Sequence, residues 1–149
     1  MNNTQEVTLM LKQRFYLLAT ITMATFLGFI IWVIYLANTG GSSIFFDIVK
    51  HIPYGDKVGH CLLFGVLTYL ANLTLQFKTI RLGSLSLYLG SCLVALFVLV
   101  EEISQGFIPR RTLDIADLAA DGVGIMVFSY FTWLTHKYVQ SLYQGENNE

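Results

Sequence analysis

The chain has 149 residues, of which 54% are hydrophobic and only 13% are charged. This charged share is about half of that usual in soluble domains, which argues against a water-soluble globular protein. Nine basic residues stand against ten acidic ones, so the chain lacks the positive charge that nucleic-acid binding needs, and we expect no nucleic-acid partner.

The first apolar segment, residues 15–37, contains no charged residue. It is long enough to cross a bilayer, which takes about 20 residues at about 1.5 Å each. Lys12 and Arg14 precede it, as basic residues precede the core of a signal peptide. The run is longer than a typical secretory core, however, and no small-x-small cleavage site follows it. We therefore predict a retained membrane helix after a short segment of residues 1–14.

The connection over residues 38–56 is the longest one and carries a candidate interfacial helix. It opens with the flexible sequence Asn-Thr-Gly-Gly-Ser-Ser. Apolar residues then recur at helical spacing, which predicts a short helix lying at the membrane interface, and Pro53 ends this segment. The apolar residues are Ile44, Phe45, Ile48, Val49 and Ile52.

Three further segments qualify as membrane spans, namely residues 57–76, 82–100 and 113–135. Their apolar runs are continuous rather than alternating, which favours helices over a β-barrel. Because the connections are short, successive helices are expected to be antiparallel. The sequence thus predicts an all-α membrane protein, a four-helix bundle over residues 15–135 with a cytoplasmic tail over residues 136–149.

The placement of lysine and arginine predicts the orientation. The N-terminus, the second connection and the C-terminus carry five of these residues, and the opposite side carries four. Setting aside Lys57 and Arg111, which lie among acids and a histidine, leaves five against two. We expect both termini in the cytoplasm, and the first and third connections on the outer side of the membrane.

The predicted fourth helix carries the strongest polar signal. Asp114, Asp117 and Asp121 recur at spacings of three and four, so they share one helical face. An aspartate at the centre of a membrane helix costs about 2.5–3.5 kcal/mol, so such a residue needs a partner or a function. Asp114 is explained by helix capping, with Arg110 as an interfacial anchor. Asp117 and Asp121 lie deeper and favour a functional site. Small residues beside these acids turn the acidic face into the bundle: Ala116, Ala120 and Gly124.

The predicted second helix begins with an acid, a base and an imidazole within one turn. Asp56 and Lys57 lie four and three residues before His60, so all three side chains are neighbours. Helix capping alone accounts for Asp56. His60 lies one turn into the membrane helix and needs a polar neighbour.

The predicted third helix is followed by two adjacent acids. Glu101 and Glu102 point about 100° apart, so we expect them not to form one site. Glu102 shares a face with Gln105, whereas Glu101 is expected at the surface. That both acids simply mark the aqueous end of the helix is an equally good explanation.

Taken together, these residues form one ordered pattern: Asp56, Lys57, His60, Phe64, Glu102, Gln105, Pro109, Arg111, Asp117 and Gly124. The pattern resembles that of the VanZ-like family, small multi-helix bacterial membrane proteins named for a teicoplanin-resistance determinant. The family pattern reads D-K-x-x-H, then E-x-x-Q, R, D, N and G. Asp121 stands where the family usually has asparagine, and Arg110 stands where it tends to have glycine. The resemblance implies a multi-pass protein of the bacterial cytoplasmic membrane linked to the cell envelope and to glycopeptide resistance.

Three functional hypotheses follow from these residues. In the first, an outward-facing pocket binds a lipid headgroup or a lipid-linked cell-wall precursor, with Lys57 and Arg111 holding phosphate. In the second, the pocket is the active site of a hydrolase or transferase that uses water, with His60 as base and Asp117 or Asp121 orienting it. In the third, these protonatable residues couple protons to transport.

The candidate ligand-binding residues are Lys57, His60, Glu102, Gln105, Arg111, Asp117 and Asp121, with Asp56 and Asp114 as secondary candidates. A divalent cation held by histidine and carboxylates is one alternative. A buried ion-pair network that serves only the fold is another. The expected partners are the lipid bilayer, a lipid or cell-wall precursor headgroup and further copies of the chain.

Overall fold

The computed structural model describes residues 3–41, 43–109 and 111–146. Arg110, the predicted anchor, lies outside this part of the chain. Helices dominate the described residues, which confirms the predicted helical class, and a small β-hairpin interrupts them. The elements are α1 Asn3–Thr39, α2 Ile44–Lys50, α3 Gly55–Thr74, β1 Thr79–Leu82, β2 Leu85–Tyr88, α4 Leu89–Gln105 and α5 Ile115–Glu146.

Within the described part of the chain, two helices are able to cross a membrane by length and composition. These are Leu9–Thr39 within α1, with a mean hydropathy of 2.3, and Ile115–Leu142 within α5, with a mean hydropathy of 1.3. Only 11% and 17% of the residues in their apolar windows are buried inside the chain. A core helix of a soluble protein would be mostly buried, so this exposure favours contact with lipid.

Both predicted bounds of the third helix are wrong. Residues 82–88 belong to the hairpin, in which Leu82 pairs with Leu85 across a two-residue turn. Gly83 has a φ of 62° at the first turn position, as a type II′ turn requires. Leucine and serine alternate here with the period of a strand, which a window of mean hydropathy does not detect. Consequently α4 starts at Leu89 and continues to Gln105.

The other predicted helices are present, and two of them extend beyond their predicted ends. α1 begins at Asn3 rather than at residue 15, and α5 continues to Glu146 rather than ending at residue 135. Hydropathy marks where a helix is apolar, whereas the polar flanks are good helix formers and prolong it. The predicted short helix in the first connection is α2, whose first turn is capped by Ser43: its Oγ accepts the Phe46 N–H at 3.3 Å.

α3 is the central helix and packs against α1, α4 and α5. The core around Phe64 of α3 includes Ile30 of α1 and Val98 of α4, all at most 3% exposed. α3 and α5 run parallel and approach most closely where Gly124 faces the backbone of Cys61. α3 and α5 therefore begin at the same end of the bundle, where α1 and α4 end. We call this the polar end.

A buried hydrogen-bond network ties three helices together in the other half of the bundle. The Asn72 Nδ2 donates to Ser91 Oγ at 3.0 Å and to Thr132 Oγ1 at 3.2 Å, while Asn72 Oδ1 accepts the Ser91 N–H at 3.0 Å. Ser91 Oγ lies 2.7 Å from Ser129 Oγ. Such interhelical bonds satisfy polar groups within an apolar bundle, so this network has a structural role.

Candidate functional site

Lys57 is the electrostatic centre of the polar end. Its Nζ lies 2.6 Å from Asp114 Oδ2, 2.6 Å from Asp117 Oδ1 and 3.0 Å from Asp56 Oδ2. The two helices are parallel, so the first turn of α3 lies beside the start of α5. The Lys57 side chain extends from the one to the other. One ammonium group thus neutralises acids from both helices, as charge pairing in a partly desolvated site requires.

Asp114 links capping to this ion-pair cluster. Its Oδ1 accepts the Ala116 N–H at 2.8 Å, which confirms the predicted N-cap of α5. The hydrogen bond from Lys57 to the other oxygen lowers the pKa of the Asp114 carboxyl below its ordinary value. The same ammonium lowers the pKa of the Asp56 carboxyl. Both carboxylates lie outside the apolar spans and are held in the charged form.

His60 and Asp121 form a second pair, one turn deeper. The His60 Nδ1 lies 3.1 and 3.3 Å from the two carboxylate oxygens of Asp121, which is fully buried. The His60 Nε2 lies 3.9 Å from Asp117 Oδ2, beyond hydrogen-bond distance. The polar neighbour that His60 was predicted to need is therefore Asp121. The Asp121 carboxylate holds the imidazole ring at Nδ1, whereas Nε2 makes no hydrogen bond to Asp117 or Asp121.

Glu101 and Glu102 belong to one cluster, contrary to our expectation from their helical positions. The Gln105 Nε2 donates to Glu101 Oε2 at 2.8 Å and to Glu102 Oε2 at 2.9 Å. Gln105 follows the two acids by four and three residues, so its amide lies between them. Glu101 is only 9% exposed and Glu102 1% exposed, so the predicted surface position of Glu101 is wrong.

Glu102 and Arg111 connect this cluster to the loop before α5. Glu102 Oε1 accepts the Asp114 N–H at 2.6 Å, which places a carboxylate beside the start of α5. The Arg111 Nε donates to Gln105 Oε1 at 3.2 Å. Gln105 therefore spans from the two glutamates on one side to Arg111 on the other.

A cavity of about 400 Å³ opens beside these groups. One wall is polar and one is apolar. The polar wall is formed by Asp56, His60, Glu101, Gln105, Arg111, Thr112, Asp114 and Asp117. The apolar wall is formed by Ile30, Val33, Ile34 and Ala37 of α1, Phe46 and Val49 of α2, and Leu63 and Phe64 of α3. A volume of this size and mixed lining is typical of small-molecule sites.

The seven predicted ligand-binding residues gather at the polar end, in two layers. Four of them line the cavity: His60, Gln105, Arg111 and Asp117. The other three do not line it. Each instead bonds to a lining residue, Lys57 to Asp117, Glu102 to Gln105 and Asp121 to His60. The secondary candidates Asp56 and Asp114 also line the cavity.

Sequence reasoning missed two parts of the cavity. Glu101 lines it, and its spacing of four residues from Gln105 was the available signal. The apolar wall from α1 and α2 gave no signal, because residues such as Val33 and Phe46 resemble every other apolar residue of a membrane segment.

The charge pattern also bears on the divalent-cation hypothesis. Among residues 3–41, 43–109 and 111–146, no three His, Cys, Asp or Glu side chains are arranged to hold a metal ion. The Lys57 ammonium occupies the point between Asp56, Asp114 and Asp117 at which a cation would lie. A cation at that point would have to displace Lys57.

Comparison of the chain with protein-family models, with curated proteins and with solved structures finds no match. The resemblance to the VanZ-like family thus rests on the residues and spacings of the polar end.

Proposed function

We propose that this chain is a VanZ-like protein of the bacterial cytoplasmic membrane that binds the phosphate-bearing headgroup of an envelope lipid or a lipid-linked cell-wall precursor. The observation that carries the proposal is the cavity with one polar and one apolar wall. A lipid presents a charged headgroup directly joined to apolar chains, and this cavity offers complementary surfaces side by side.

Arg111 is the better phosphate ligand of the two cations suggested by the sequence. Lys57 is already bound by three carboxylates at 2.6–3.0 Å. The Arg111 side chain bonds to Gln105 alone among the described residues, and no described carboxylate lies within 4.0 Å of it. Its terminal amino groups are therefore available for a bidentate contact with phosphate.

α2 supports the lipid assignment because its two faces differ in their surroundings. Phe46 and Val49 face the cavity, whereas Ile44 and Ile48 are 80% and 57% exposed. A short helix with exposed isoleucines is suited to the boundary between headgroups and acyl chains. The apolar wall of the cavity is thus continuous with a helix that contacts lipid in this arrangement.

The proposal includes four spans, α1, α3, α4 and α5, with both termini in the cytoplasm and the polar end outside. Cysteine labelling tests this topology in a chain whose Cys61 and Cys92 are replaced by alanine. An impermeant thiol reagent should label Phe107→Cys in intact cells. It should label Ser84→Cys, in the hairpin turn, only after permeabilisation. The reverse pattern would overturn the outward orientation.

Native mass spectrometry of the protein released from membranes tests the function. We expect a bound phospholipid or lipid-linked precursor on the wild-type chain, and binding about 10- to 100-fold weaker in Arg111→Ala, because hydrogen bonds to charged groups contribute about 1.5–3 kcal/mol. Arg81→Ala, in the exposed hairpin, is the matched control and should retain the ligand. Equal occupancy in the wild type and Arg111→Ala would overturn the proposal.

A second candidate function, lipid hydrolysis, is favoured by the His60–Asp121 pair. Asp121 holds Nδ1, and the imidazole lines the cavity, which is the arrangement of a general base oriented by a buried acid. Incubation of the reconstituted protein with membrane lipid extract, followed by mass spectrometry of the products, tests it. Formation of the same products by His60→Gln would exclude this mechanism.

A further inference from the structure

We infer that the cavity selects a zwitterionic headgroup, a phosphate ester joined to a primary ammonium group, with the phosphate at Arg111 and the ammonium at Glu101. The inference rests on the proposed lipid-binding function and specifies the ligand class. It is carried by the charge balance of the polar end, by the bonding of Glu101 and by the position of Gln105.

The polar end is rich in acid. Lys57, Arg111 and, when protonated, His60 are the positive groups of the described cluster. They face six carboxyl groups, namely Asp56, Glu101, Glu102, Asp114, Asp117 and Asp121. A ligand with negative charge alone would enter a cavity of like charge, which disfavours binding. A ligand that also brings a positive group offsets this repulsion.

Glu101 is the acid whose bonding leaves room for that positive group. The side chain is nine-tenths buried and lines the cavity. Its Oε2 accepts from Gln105, whereas Oε1 has no hydrogen-bond partner among the described residues. Because the Glu101 side chain lines the cavity, a ligand inside the cavity can donate a charge-assisted hydrogen bond to this carboxylate.

Gln105 sets the spacing between the two subsites. Its amide nitrogen binds Glu101 at 2.8 Å, and its amide oxygen accepts from Arg111 at 3.2 Å. The carboxylate and the guanidinium are therefore separated by one amide group and two hydrogen bonds. We expect a headgroup whose phosphate and ammonium are joined by a two-carbon linker to contact both groups at once.

The hydrogen-bonding character of Glu101 favours a primary ammonium over a methylated one. A carboxylate oxygen accepts N–H donors, and a quaternary ammonium has none. Quaternary ammonium groups are recognised instead by cages of aromatic rings. Phosphatidylethanolamine is thus expected to bind more tightly than both phosphatidylcholine and phosphatidylglycerol with the same acyl chains.

Lipid titration of the purified full chain, read by native mass spectrometry, tests the inference. We expect phosphatidylethanolamine to bind about tenfold more tightly than phosphatidylglycerol to the wild type. Glu101→Gln should abolish this preference and retain phosphatidylglycerol binding, whereas Glu6→Gln, an exposed change in α1, should leave the preference intact. Equal binding of the two lipids by the wild type would overturn the inference and leave the proposed function standing.

Competition with headgroup fragments separates headgroup recognition from general lipid binding. Soluble phosphoethanolamine should displace phosphatidylethanolamine at concentrations at which glycerol 3-phosphate does not. Equal displacement by the two fragments would overturn the ammonium subsite. If no phospholipid or lipid-linked precursor binds the wild type, the proposed function itself fails. If phosphoethanolamine binds as tightly as its lipid, a free solute is the ligand, and the lipid assignment fails while the charge assignment holds.

Discussion

Lys57 of α3 and Asp117 of α5 form an ion pair in which Nζ lies 2.6 Å from Oδ1. The pair joins the first turns of two parallel helices, and the same Nζ also binds Asp114 and Asp56. The Lys57 side chain is 23% exposed and that of Asp117 15% exposed, so both charges are partly desolvated. Removal of the ammonium would leave three carboxylates close together, two of them at the start of α5.

Lys57→Met should lower the free energy of unfolding by about 1–3 kcal/mol, less than for a fully buried pair because solvent screens this one. Thermal or denaturant unfolding in detergent measures the change. Lys78→Met, an exposed change beyond the C-terminal end of α3, should be near neutral. The double variant Lys57→Met with Asp117→Asn should recover part of the loss. A neutral Lys57→Met would show that the cluster contributes nothing to stability.

The lowered pKa values of Asp56 and Asp114 predict an acid-sensitive polar end. Each carboxyl has a folded-state pKa below its ordinary value of 3.8 because Lys57 binds the ionised form. Their contribution is therefore complete above about pH 4 and is lost as the pH falls through the folded-state values. Unfolding at pH 6 and at pH 3 should differ more for the wild type than for Lys57→Met. Identical pH profiles would contradict the assignment.

The sequence was sufficient to place most of the polar end, because charges are rare in this chain and helical spacing assigns them to faces. Asp114, Asp117 and Asp121 share a face, and Gly124 is buried against the neighbouring helix, as predicted, whereas Ala116 of the same predicted stripe is exposed at the start of α5. Glu101 was misplaced because the 100° rule describes backbone directions, whereas the long side chains of Glu101, Glu102 and Gln105 bend towards one another.

The hairpin was missed for a different reason. Residues 82–88 are apolar enough to be taken for the start of a membrane segment, and only the alternation of side chains and Gly83 distinguish them from a helix. The division of the site into lining and supporting residues was also beyond the sequence. Whether a polar residue lines the cavity or supports a lining residue depends on how the helices pack against one another. Residue spacing along a single helix does not determine this.

Asp121 should tolerate replacement by asparagine, the residue usual in the family that the pattern resembles. Asparagine has the size of aspartate, and its Oδ1 can replace the carboxylate oxygen that lies 3.1 Å from His60 Nδ1. We expect Asp121→Asn to change the free energy of unfolding by less than about 1 kcal/mol. Asp121→Leu should cost about 1–3 kcal/mol, because His60 loses its acceptor. Equal stability of the two variants would show that this hydrogen bond does not contribute.

Gly124 and Gly122 provide a matched pair on α5. A Cβ at Gly124 would collide with the backbone of Cys61, including its Cα at 3.0 Å, whereas a Cβ at Gly122 meets no atom within 4 Å. Gly124→Ala should therefore separate α3 from α5 and cost about 1–3 kcal/mol. Gly122→Ala should be neutral or stabilise by up to about 1 kcal/mol through helix propensity. Because Lys57, His60 and the α5 acids meet across this contact, Gly124→Ala should also weaken lipid binding. Equal effects of the two alanines would contradict the close approach of the parallel helices.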